Sequence, residues 1–228
     1  MKYKYFLFDV DNTLLDFCDT ERQALFGASK IHKIPCTEED YKRYSKINDD
    51  CWKMLEKGQI EKSKIGFTRF NNYLPTVNSN IDPLEFNKTF ISQLSLGKKL
   101  IDGANEVVKG VKDLGGKVYI ATNGFFVVQE NRLKGQEFFK YVDGLFISGV
   151  KYIIYISPKF FEEAEKLAGI TLKGNALIIG DSLTSDIKGG SDFGIDTCWF
   201  NPNNLPIPNE PKITFAINKL SELIEKIK

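Results

Sequence analysis

Residues 5–14 read Tyr5-Phe6-Leu7-Phe8-Asp9-Val10-Asp11-Asn12-Thr13-Leu14. Four apolar residues in a row, bounded by a polar turn, fit a short strand buried on both faces. Two carboxylates, one residue apart, stand directly after it. Like charges at the end of a buried strand repel each other and lose hydration, so Asp9 and Asp11 require something positive beside them. A metal ion is the simplest such partner.

Working outward, the chain from about Leu100 alternates helical and strand patterns. Ala104, Val107, Val108, Val111 and Leu114 follow helical spacing, Gly115-Gly116 ends that helix, and Lys117 to Ala121 fits a strand. Further strands are expected at Leu145 to Ile147, Ala176 to Ile179, Thr197 to Phe200 and Ile213 to Ala216. Helices are expected at Pro158 to Ala168, at Thr184 to Phe193 and from Lys219. Strands separated by helices of this length imply a parallel sheet covered on both faces, with Tyr5 to Phe8 as one of its strands.

Between residues 18 and 97 the pattern is helical only. Thr37-Glu38-Glu39-Asp40 resembles a capping box with Asp in the place of Glu or Gln, and Tyr41, Tyr44, Ile47, Cys51, Trp52 and Leu55 follow at helical intervals. Asp82-Pro83 offers an N-cap and a first-turn proline to another helix. The expected fold class is therefore α/β, a doubly wound parallel sheet formed by 1–17 and 98–228, with an inserted helical cap at 18–97.

With 31 Lys and Arg against 30 Asp and Glu, the net charge of +1 predicts no general attraction to nucleic-acid polymers or to a membrane surface. The apolar runs are too short for a membrane span and the charged Asp9 comes too early for a signal peptide, which points to the cytoplasm. Cys18, Cys36, Cys51 and Cys198 lack the paired spacing of a zinc or redox site. With His32 as the single histidine, a histidine-based metal site or a Ser-His-Asp triad is nearly excluded.

Ligands of parallel sheets bind beyond the carboxyl ends of the strands. Three loops there are chemically unusual: Asp9 to Leu14, Thr122-Asn123-Gly124, and Gly180-Asp181-Ser182-Leu183-Thr184-Ser185-Asp186. Convergence of Asp9, Asp11 and Asp181 would create an oxygen-rich site suited to Mg2+. The hydroxyl, amide and flexible backbone of Thr122-Asn123-Gly124 suit an anion. Singly, Asp181, Asp186 or Thr122-Asn123-Gly124 also fits an ordinary turn or helix cap.

These three motifs resemble those of the haloacid dehalogenase superfamily, specifically its phosphatases with a helical cap inserted after the first motif. The likeness covers almost the whole chain. Gln129 and Arg132, together with Gly194-Ile195-Asp196-Thr197, are similar to the pyrimidine 5'-nucleotidase group. The resemblance implies that Asp9 is the nucleophile and Asp11 the general acid and base. It further implies that Asp9, the backbone carbonyl of Asp11 and Asp181 hold Mg2+, and that Thr122 and Asn123 bind phosphate. The substrate would be a small phosphorylated metabolite, with nucleoside 5'-monophosphates foremost. Whether Asp186 supports the metal, and the oligomeric state, stay open.

One element departs from the family pattern, in which a lysine followed by proline precedes the helix starting near Pro158. Aligning Ser148 and Pro158-Lys159-Phe160-Phe161 puts Tyr155-Ile156 there, with Lys151 and Lys159 out of register on either side. A catalytically weakened binding protein of the same fold therefore stays open. So does a phosphomutase, which would retain both Asp9 and Asp11. A haloacid dehalogenase would lack Asp11, and a receiver domain would carry its phosphoacceptor after the third strand.

Overall fold

A computed structural model describes residues 1–148 and 158–228. The chain divides into two compact units, one formed by Met1–Asp16, Leu100–Phe126 and Leu133–Lys228, the other by Phe17–Lys99 and Val127–Arg132.

The first unit is built on a six-stranded sheet of β1 (Tyr5–Phe8), β2 (Lys117–Thr122), β3 (Gly144–Ile147), β4 (Ala176–Gly180), β5 (Asp196–Phe200) and β6 (Phe215–Ile217), in the order β3-β2-β1-β4-β5-β6. All neighbouring strands are parallel. This is the doubly wound order, in which the crevice for ligands opens where the winding reverses, here between β1 and β4.

Alternation along the strands divides the core. Phe6, Phe8, Val118, Ile120, Leu177 and Ile179 pack on one face with residues of α5 (Ala104–Asp113) and α9 (Glu222–Ile227). Tyr5, Leu7, Tyr119, Ala121 and Ile178 pack on the other, with Phe160 and Phe161 of α7 (Pro158–Ala168) and Phe193 of α8 (Lys188–Phe193). Burial of both faces explains why β1 and β4 are continuous apolar runs rather than alternating ones.

Three elements differ from the sequence expectation. The helix expected from Thr184 begins instead as a π-helical turn over Leu183–Ile187, continued by α8. Side chains make this wide turn possible: Ser182 Oγ accepts from the Ser185 N–H at 3.2 Å, and the Ile187 N–H reaches back to Ser182 O at 3.1 Å. The last strand begins at Phe215 rather than Ile213, because Thr214 is engaged with Thr197, each amide donating to the other's hydroxyl at 3.0 to 3.1 Å. The closing helix starts at Glu222 rather than Lys219, with the Glu222 carboxylate accepting from the Asn218 N–H at 3.2 Å in the preceding turn.

The second unit contains α1 (Phe17–Ile31), α2 (Glu38–Glu56), α3 (Lys62–Tyr73) and α4 (Pro83–Leu94), with most of α6 (Phe126–Leu133). Both expected caps form. Thr37 and Asp40 make a reciprocal capping box in which Asp is long enough, its Oδ2 accepting from the Thr37 N–H at 2.9 Å. Asp82 Oδ1 accepts from Leu84 and Glu85 ahead of Pro83. Inside lies an aromatic cluster of Tyr44, Phe70, Tyr73, Phe86 and Phe90, all of them core residues.

A buried polar chain crosses this apolar interior. Asn48 Nδ2 donates to Glu21 Oε1 at 2.8 Å, Arg69 Nη1 to Asn48 Oδ1 at 3.2 Å, and Arg69 Nη2 to Asn87 Oδ1 at 2.7 Å, so that one residue from each of α1, α2, α3 and α4 takes part. Burial raises the Glu21 carboxyl to about 7, and Arg69 and the hydrogen bonds from Ser45 and Asn48 oppose that only partly. Gln129 and Arg132 are also buried here: Arg132 Nη1 donates to Gln129 Oε1 at 3.1 Å and its Nε to Gly97 O at 3.2 Å.

Candidate active site

Asp9 takes its position from the last residue pair of the central strands. Its N–H donates to Ile179 O at 2.9 Å, one step beyond the Phe8↔Ile179 register, so β1 and β4 deliver their following residues side by side. The chain then turns tightly: the amides of Leu14 and Leu15 both reach Val10 O, with Asn12 at a positive φ of 60°. Asn tolerates that left-handed conformation better than most residues. The turn buries Thr13, whose Oγ1 accepts from the Asp181 N–H at 3.1 Å. From the other side Trp199 Nε1 donates to Asp181 O at 2.9 Å. Both backbone groups of Asp181 are thus held while its carboxylate projects.

Carboxylate oxygens of Asp9, Asp181 and Asp186 all lie within 4.8 Å of one another. Asp186 reaches this group from the π-helical turn because Gly180 has no side chain: a Cβ there would collide with the Asp186 carboxylate. The Ser182 N–H donates to Asp186 Oδ2 at 3.1 Å. Asp11 stands outside the three-carboxylate cluster and is half buried.

The electrostatics of the cluster favour a positive charge beside it. Burial, followed by the charges of Asp186, Asp181 and Asp11, pushes the Asp9 carboxyl well above its ordinary range. Asp181 is pushed up to about 7, again by burial first and by Asp11 second. A nearby divalent cation reverses such shifts, and an all-oxygen set of a few carboxylates is the donor chemistry that Mg2+ favours. The residues present therefore fit Mg2+.

The loop after β2 faces the same sheet edge. Thr122 is buried, its Oγ1 accepts from the Gly124 N–H at 3.1 Å, and its carbonyl accepts from the Ser148 N–H at 2.9 Å. Asn123 Nδ2 lies 3.0 Å from Ser185 Oγ. Lys151, Tyr155 and Ile156 lie outside the described residues, and Lys159 is exposed in the first turn of α7.

Sequence reasoning named the carboxylates but missed the residues that hold them. Trp199 carries no signal, being one apolar strand residue among many; its importance comes only from the parallel pairing of β5 with β4. Ser185 and Gly180 lay within a quoted motif, yet their roles depend on a π-helical turn that the helical pattern did not reveal.

The family model for haloacid dehalogenase-like hydrolases matches residues 3–194. The HAD-hydrolase YfnB of Bacillus subtilis is 34% identical over 225 residues, covering 97% of this chain and 94% of that protein. The pyrimidine 5'-nucleotidase PynA of Streptococcus pneumoniae is 30% identical, covering 99% of this chain and 95% of that one. A crystal structure of YfnB bound to magnesium superposes with a TM-score of 0.92 at 33% identity over 100% of both chains. A dehalogenase structure at 18% identity and a TM-score of 0.77, covering 99% of this chain and 97% of that one, shares the fold.

Proposed function

The chain belongs to the haloacid dehalogenase-like hydrolases, and on that premise we propose that it is a Mg2+-dependent phosphatase of small phosphate monoesters, working through an aspartyl-phosphate. The observation that carries this reading is the convergence of Asp9, Asp181 and Asp186 at the point between β1 and β4 where the winding reverses. A nucleophilic carboxylate must be ionised, and at Asp9 both burial and neighbouring charge oppose ionisation. Asp9, Asp181, Asp186 and the backbone carbonyl of Asp11 would hold Mg2+, whose charge offsets that of carboxylate and phosphate together.

In the first step an Asp9 carboxylate oxygen bonds to phosphorus while the bond to the ester oxygen breaks, and Asp11 gives its proton to the leaving alkoxide. In the second, Asp11 as carboxylate takes a proton from water, which attacks the acyl phosphate, frees inorganic phosphate and restores Asp9. Thr122 and Asn123 hold the phosphoryl oxygens through both steps. Asp11 suits the proton-transfer role because it is half exposed and stands apart from the clustered carboxylates.

Pyrimidine nucleoside 5'-monophosphates are the proposed substrates, supported by PynA and by the pyrimidine 5'-nucleotidase YjjG of Escherichia coli, 29% identical over 224 residues. Small soluble phosphates of this kind fit an enzyme of the cytoplasm, and no helix among the described residues is long and apolar enough to cross a membrane. The test is phosphate release from a panel of monoesters with Mg2+. Higher kcat/KM for pyrimidine nucleotides than for sugar phosphates is expected. Equal values would remove the nucleotidase assignment, and no hydrolysis of any ester would remove the phosphatase itself.

A further inference from the structure

The loops after β2 and β4 are tied together by one side-chain pair. Asn123 Nδ2 and Ser185 Oγ are 3.0 Å apart although 62 positions separate them in the chain. Since β2 and β4 flank β1, this bond spans the end of the strand that delivers Asp9. The other end of the amide, Asn123 Oδ1, is buried and has no hydrogen-bond partner among the described residues. A buried acceptor without a donor costs free energy, and it adds negative potential at a sheet edge that already carries Asp9, Asp11, Asp181 and Asp186.

The two ends of an amide have the same shape, and a serine hydroxyl donates as well as it accepts. The pair therefore has two hydrogen-bonded arrangements. In one, Nδ2–H donates to Ser185 Oγ and Oδ1 is left over. In the other, Ser185 Oγ–H donates to Oδ1 and the NH2 group turns the opposite way. Only the second satisfies the buried acceptor, and it turns both N–H donors to the side that Oδ1 occupies in the first.

We infer that Ser185 is a positioning residue: its hydroxyl holds Asn123 across the end of β1 with the amide NH2 directed at the phosphoryl group that Asp9 accepts. This rests on the phosphatase reading of the site. The backbone around Asn123 is held separately, with Ser148 donating to Thr122 O at 2.9 Å, so the facing of the amide is what Ser185 sets. Ser185 is itself fixed by its N–H to Ser182 Oγ at 3.2 Å.

The test compares wild type, Ser185→Ala, Asn123→Ala, the double variant and Ser185→Thr on a small aryl phosphate monoester across a Mg2+ titration. Each alanine variant should lose about tenfold in kcat/KM, mainly in kcat, the size of effect that one hydrogen bond to a charged group supplies. The double variant should match Asn123→Ala to within about twofold, as coupled residues do, and Ser185→Thr should restore most of the rate. Half-saturation by Mg2+ should not change. Orthovanadate binding, read as a melting-temperature shift of the Mg2+-loaded protein, should weaken equally in both alanine variants.

Wild-type kcat/KM in Ser185→Ala, multiplicative losses in the double variant, or a shifted Mg2+ requirement with vanadate binding intact would overturn the inference. Asn123→Ala removes the same bond from its other end, so a misfolded Ser185→Ala still leaves the question decidable. A wild-type protein that binds orthovanadate yet hydrolyses no ester would overturn the phosphatase reading alone, and the vanadate series would still decide the pair.

Discussion

The carboxylate of Asp186 occupies the space that a side chain on Gly180 would fill. Glycine at the end of β4 is thus what lets an acidic residue six positions later fold back beside Asp9 and Asp181. Gly180→Ala should displace that carboxylate without disturbing the strand pairing on either side. The expected outcome is a Mg2+ half-saturation raised at least about tenfold, since displacing a metal-holding carboxylate costs no less than losing an outer contact does. A metal titration of activity, beside the melting temperature of the metal-free protein, checks it.

Asp9→Asn should have two opposite effects. Hydrolysis should fall by more than about a thousandfold, because an amide does not replace a carboxylate nucleophile. The metal-free protein should melt higher than wild type, because one member of a buried, mutually repelling group has been neutralised. Activity retained in Asp9→Asn would exclude this residue as the nucleophile.

Glu21 predicts a pH dependence of stability in the helical unit. Its folded-state value is raised to about 7 from 4.5. The folded state therefore binds this proton more tightly than the unfolded chain does. The resulting stabilisation is complete below pH 4.5 and is lost as pH rises through about 7. Burial supplies the shift, Ser45, Asn48 and Arg69 oppose it, and Asp49 adds to it. The loss between pH 5 and pH 8 should be on the order of 3 kcal/mol. Glu21→Gln, melted at both pH values with Mg2+ present, should show a flatter dependence than wild type. Identical slopes would mean that Glu21 titrates as it does in the unfolded chain.

Aligning the chain on Ser148 and Pro158-Lys159-Phe160-Phe161 puts Tyr155 where the family pattern has lysine. A lysine ammonium lowers the repulsion between nucleophile and phosphate, and loss of such a contact commonly costs on the order of 3 kcal/mol in the transition state. Tyr155→Lys combined with Ile156→Pro should therefore raise kcat on a generic phosphate ester by up to about a hundredfold. Lys159→Ala should leave the native rate within about twofold, because its side chain is exposed. Loss of activity in Lys159→Ala would show instead that this lysine supplies the missing charge.

Local order along the chain determined that strands and helices alternate, that a helical stretch interrupts them, and that Asp9, Asp11 and Asp181 follow apolar strands. Those properties were legible because burial on two faces demands continuous apolar runs, while helix ends demand capping groups at fixed offsets, as Thr37 with Asp40 and Asp82 with Pro83 illustrate. Which side chains meet was decided by the tertiary structure. The order β3-β2-β1-β4-β5-β6 places residue 9 beside residue 181 and residue 123 beside residue 185. No sequence window contains that adjacency. The seating of Asp186 depends on a missing Cβ at Gly180, and the hold on Asp181 depends on Thr13 arriving from the turn after β1 and Trp199 from β5. These are contacts between distant segments, set by packing and strand register, and periodicity within one segment carries no record of them.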